Sequence, residues 1–153
     1  MNDTNAHIRE LFLQPRPNYA LAEAATLLGT DSREMLAWIE SGELEGVDTK
    51  EGLVLPWAEL VSFGMDLWSQ EVVEDVLGPE TSEAIPELLR LTALEVRIPR
   101  IEVVALQRLA AADGKTVSAM LTRELRDLLS VHSKWLAREV PGFAAAFSWP
   151  EAV

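Results

Sequence analysis

Leu94–Ser130 reads LEVRIPRIEVVALQRLAAADGKTVSAMLTRELRDLLS, and its pattern changes period twice. In Leu94-Glu95-Val96-Arg97-Ile98 the apolar Leu94, Val96 and Ile98 alternate with charged Glu95 and Arg97, the period of two that defines a strand with one face toward a core. Pro99 suits the first turn of a helix, where its missing N–H is not needed, and Val103, Leu106, Leu109 and Ala110 then recur at helical spacing. Asp113-Gly114 ends that helix. Thr116 is placed to cap a second one, whose Val117, Leu121, Leu125, Leu128 and Leu129 form another apolar stripe.

A strand lying alone between helices cannot satisfy its own backbone N–H and C=O groups, and a bare edge is costly or adhesive. A homodimer resolves this. Two copies pairing this segment antiparallel about a two-fold axis would bury Leu94, Val96 and Ile98 and present Glu95 and Arg97 from both chains on one two-stranded ribbon.

In the order and spacing of Arg97-Ile98-Pro99-Arg100, the helix, and Gly114-Lys115-Thr116-Val117-Ser118, the segment resembles the ribbon-helix-helix (Arc/MetJ-like) DNA-binding family. The likeness covers about a quarter of the chain. It implies a ribbon in the major groove of double-stranded DNA. Alternate strand residues, here Ala93, Glu95 and Arg97, would read base edges. The start of the second helix, here Lys115, Thr116 and Ser118, would hold a phosphate, with Arg100 beside it, because a helix N-terminus presents unpaired N–H groups and the positive end of a dipole. Ala93 offers only apolar contact and Glu95 must accept from a cytosine amino group or else repel the DNA, so Arg97 is the strong base-reading candidate.

Residues 17–63 carry a second likeness, to the winged helix-turn-helix of the MerR and excisionase-like families. Leu21, Ala24, Ala25 and Leu28 form a stripe that stops at Gly29. Asp31 or Ser32 then caps a helix bearing Met35, Leu36 and Ile39. Ser41-Gly42 closes it, Val47 and Leu53-Val54-Leu55 flank a turn-prone Asp48-Thr49-Lys50-Glu51-Gly52, and Pro56-Trp57 opens a third helix. The resemblance implies DNA contact by the second helix and wing, for which Ser32, Arg33 and Lys50 are the candidates here. Acidic neighbours outnumber them, which points to a surface repurposed for protein contact or dimerisation, or to one that touches DNA weakly while the ribbon grips it.

Charge sets the main objection to DNA binding. The chain has 13 basic and 25 acidic side chains, net −12, and phosphate attraction dominates nucleic-acid affinity. Its distribution answers in part: residues 1–78 carry 4 basic and 15 acidic groups, whereas residues 90–134 carry 8 basic and 5 acidic.

The expected architecture is mainly α: a winged helix-turn-helix module over 1–78, a Glu-rich linker over 79–92 that opens at Pro79, the ribbon-helix-helix module over 93–134 and an arm over 135–153. Trp135, Phe143, Phe147 and Trp149 make the arm aromatic, as partner grooves require. The alternative is a tail folded back to complete a small core. A ribbon module followed by such an arm resembles the antitoxins of toxin-antitoxin pairs, which implies a toxin held by the arm and repression of the protein's own operon.

No Gly-x-Ser-x-Gly elbow, phosphate-cradling glycine loop, His-Glu-x-x-His or cysteine nucleophile is present, so no enzyme, cofactor or metal site is expected. The absence of cysteine, of a signal peptide and of an apolar run near the roughly 20 residues of a membrane helix points to the cytoplasm. Two functions remain: a homodimeric, sequence-specific DNA-binding transcriptional regulator, or an acidic adaptor that uses DNA-reader folds for dimerisation and protein contacts.

Overall fold

The computed structural model describes residues 3–150. The chain is mainly helical with one small antiparallel sheet, and it divides into unit 1, Met1–Leu91 with Trp149–Val153, and unit 2, Thr92–Ser148.

Unit 1 opens with α1 (Asp3–Leu13), whose Ile8, Leu11 and Phe12 lie one turn apart and are all buried. Then come β1 (Asn18–Ala20), α2 (Leu21–Leu27) and α3 (Ser32–Glu40). Gly29, at φ +73°, makes the turn between these helices, a left-handed conformation that a side chain would strain. Asp31 caps α3 by accepting the Glu34 N–H at 2.9 Å.

The hairpin expected as a wing is present as β2 (Val47–Thr49) and β3 (Gly52–Pro56). Thr49 Oγ1 closes its turn, donating to the Gly52 carbonyl at 2.7 Å. Strand order is β1-β3-β2, with Tyr19 opposite Leu55 and Val47 opposite Val54. Tyr19 and Leu55 are buried, which joins the sheet to the helical core.

Pro56 leads into α4 (Trp57–Trp68), and Ser69 breaks the helix at φ +69° while its Oγ accepts from Val72 N–H to start α5 (Gln70–Leu77). A 3-10 turn over Gly78–Glu80, a short α6 (Thr81–Ala84) and another 3-10 turn over Glu87–Leu89 follow. The sequence marks 79–92 as a linker; the structure instead builds most of it into unit 1. Thr81 is buried with its hydroxyl donating to the carbonyls of Gly78 and Glu74, and Ile85 is buried in the same core. Gln70 Nε2 donates to the Leu89 carbonyl at 2.6 Å, and the Leu91 N–H donates to Glu74 at 2.9 Å. The division therefore falls at Leu91, not near residue 80.

Unit 2 consists of α7 (Arg100–Ala112), α8 (Val117–Val131), α9 (Ser133–Glu139) and α10 (Phe143–Phe147). α7 and α8 match the two helices expected from the sequence, whereas α9 and α10 occupy the stretch expected as a separate arm and belong to the same unit; among the described residues of unit 2 only Ala110 is buried. Ile101 and Leu109 on α7 and Leu125 and Leu128 on α8 are all more than half exposed. Among the described residues no helix is long and apolar enough to cross a membrane.

Candidate nucleic-acid interface

Residues 91–99 belong to no helix or strand, and every one of them is exposed. The expected strand Leu94–Ile98 thus forms no ladder with any of the described residues. Leu94 is 81% exposed and Val96 64%, values that an apolar side chain in a finished core does not show. Ala93, Glu95 and Arg97, the candidate base readers, are likewise exposed.

The turn between α7 and α8 gathers the candidate phosphate contacts. Gly114 turns the chain at φ +66°, and Lys115 N–H donates back to the Ala110 carbonyl at 2.9 Å. Thr116 Oγ1 caps α8 by accepting the Ala119 N–H at 3.0 Å. Lys115, Thr116 and Ser118 are exposed, as is Arg100 at the first position of α7. The first turn of α8 contains no acidic residue, so nothing there competes with an anion for the positive end of the fifteen-residue helix.

The helix that follows the Gly29 turn in unit 1, α3, is built the opposite way. Asp31 caps α3, and Glu34 in the first turn accepts from the Thr30 hydroxyl at 2.5 Å. Two carboxylates therefore occupy the helix end that would otherwise attract a phosphate. Ser32 is half-buried there; Arg33 is exposed, and Lys50 sits at the hairpin turn between Asp48 and Glu51. The structure does place Ser32, Arg33 and Lys50 in one unit, but within an acidic setting.

The arm residues fare differently from one another. Trp135 on α9 is 55% exposed. Phe143 and Phe147 stack on each other across α10, ring centroids 5.0 Å apart, and are half-buried. Trp149 packs onto the core of unit 1 against Trp57, a pairing between distant positions that no spacing in the sequence announces. Also invisible in the sequence is the polar hold of Gln70 and Glu74 on the start of the exposed segment.

Comparison with models of known protein families, with curated proteins and with solved structures finds no match to this chain.

Proposed function

We propose that the protein is a homodimeric, sequence-specific DNA-binding transcriptional regulator. In this reading unit 2 is a ribbon-helix-helix module and unit 1 a winged helix-turn-helix module turned toward protein by its charge. One observation carries it: the segment from Thr92 to Ile98 is exposed, lacks a ladder partner and alternates apolar with polar side chains, next to helices whose apolar faces are uncovered. A second copy satisfies both needs at once, pairing the backbone and covering Leu94, Val96, Leu109 and Leu125. The paired ribbon would present Arg97 and Glu95 to bases, while Arg100, Lys115, Thr116 and Ser118 position it on phosphates. Charge supports the same assignment, since residues 92–148 carry 8 basic and 6 acidic groups against 5 and 18 in residues 1–91.

The test is binding to duplex DNA taken from upstream of the protein's own gene, followed by fluorescence anisotropy across a salt series. Affinity for one sequence should exceed that for scrambled duplex and fall steeply with salt. Arg97→Ala should erase that preference, at about 1–3 kcal/mol for each bidentate arginine–guanine pair removed, leaving scrambled-duplex affinity nearly unchanged. Equal affinity for both duplexes in the unsubstituted protein would overturn the assignment.

The second reading, an acidic adaptor, draws on the carboxylates of Asp31 and Glu34 at the end of α3. It expects no duplex binding at low salt. Within the preferred reading, an antitoxin arm would rest on Trp135 and the Phe143–Phe147 pair, because Trp149 is engaged elsewhere.

A further inference from the structure

The last described residues return to unit 1 although all of unit 2 lies between them and the rest of it in sequence. Trp149 packs on the core cluster of unit 1, Pro150 is buried, and the Trp149 indole stands edge-on to that of Trp57, at 85° with centroids 6.2 Å apart. This is the favourable arrangement for two aromatic quadrupoles. The receiving ring has holds of its own that do not involve the tail. Trp57 Nε1 donates to the Leu11 carbonyl at 2.8 Å and its backbone N–H to the Pro17 carbonyl at 3.1 Å, so α1 and the entry to β1 hold the ring. The tail is held differently: no side-chain hydrogen bond joins Trp149 to the described residues, and its docking is apolar burial.

We propose that the face of unit 1 around Trp57 is a docking site for the chain's own Trp149-Pro150, an exchangeable latch that the same two residues of a second copy can fill. A contact made by one indole on a prepared surface is weak for a free peptide. It becomes effective when the chain supplies the tail at high local concentration. Association of two chains supplies a second, identical tail, which is the condition for swapping. The latch in one chain stands without the dimer, whereas the exchange rests on the association proposed above.

The probe is a fluorescein-labelled peptide of residues 143–150, titrated against full-length chains and read by anisotropy. Full-length Trp149→Ala should bind it at least tenfold more tightly than the unsubstituted chain, whose own tail competes. Trp57→Leu added to Trp149→Ala should abolish binding. Trp149→Leu keeps apolar volume should alanine unsettle the fold, and its affinity should fall between those of Trp149→Ala and the unsubstituted chain. Equal affinity across these chains, or no binding to a Trp149 variant with unchanged circular dichroism, overturns the latch. For exchange, Trp149→Ala and Trp57→Leu chains are mixed, so that one lends a surface and the other a tail. Their mixture should unfold at a higher temperature than either alone. A mixture that melts as the sum of its parts in a sample that sediments as a dimer overturns exchange; a monomeric sample that still passes the peptide test retains the latch and refutes the dimer.

Discussion

Arg16, Tyr19 and Glu23 show how single side chains fasten the start of the sheet to α2. The Arg16 guanidinium lies 4.6 Å from the centre of the Tyr19 ring and pairs with Glu23, while the Arg16 backbone N–H donates to the Tyr19 hydroxyl. Glu23 also accepts from the Ala20 N–H, closing the first turn of α2. The Arg16 hydrogen bond, and then that of Ala20, hold the Glu23 carboxyl below its ordinary value. A carboxylate lowered on folding stabilises the protein above its unfolded pKa, and that contribution disappears as pH falls through the folded value. Both side chains are about half exposed, so the effect on stability is small and confined to acid. A carboxyl-resolved NMR titration should therefore find Glu23 titrating below the ordinary glutamate value, and Arg16→Ala should move it back up. Titration at the ordinary glutamate value in the unsubstituted protein would remove this account.

The helix starts α3 and α8 share a capping geometry and differ in charge, which separates stability from binding. Thr116→Ala should cost about 1 kcal/mol by denaturant unfolding and also weaken duplex binding, whereas Asp31→Ala should cost a similar amount without weakening it. Equal effects of both on binding would deny α8 its phosphate role. These helices were legible because their signals are local: an Asp or Thr cap, an apolar stripe, and a positive-φ glycine at the turn, Gly42 after α3 and Gly114 before α8. Less was visible in α1, where Ile8, Leu11 and Phe12 form a short stripe in a polar stretch and gain meaning only from what they pack against. β1 is three residues whose partner β3 lies over thirty positions away. The stretch after Gly78 reads as a hinge by composition, because nothing in Glu80-Thr81-Ser82-Glu83 reveals that Thr81 will pair with two carbonyls inside a core. Of the candidate site, Arg97, Arg100 and Lys115 are exposed and Thr116 caps α8, whereas the alternation over Leu94–Ile98, read as a strand, is exposed irregular chain in the structure.

The two units differ most in how they are held together. Unit 1 has a continuous core running from Ile8 through Leu55 and Leu60 to Ile85, whereas unit 2 buries Ala110 alone among its described residues. Ordering a residue's backbone costs about 1–2 kcal/mol, and the packing within one copy of unit 2 offers little to offset it. Folding of unit 2 should then be coupled to association, and a coupled equilibrium depends on concentration. Diluting the protein a hundredfold should lower the midpoint at which the helical signal of unit 2 is lost. The near-ultraviolet signal of Trp38, Trp57 and Trp68, which pack on the core of unit 1, should not move. Val96→Glu places a charge on the face proposed to be buried at the ribbon, so it should remove the concentration-dependent transition and leave that of unit 1 intact. A single transition, unmoved by dilution and indifferent to Val96→Glu, would mean that unit 2 is stable by itself. The exposed segment would then need no second copy, and the case for a shared ribbon carrying Arg97 from both chains would lose its physical cause.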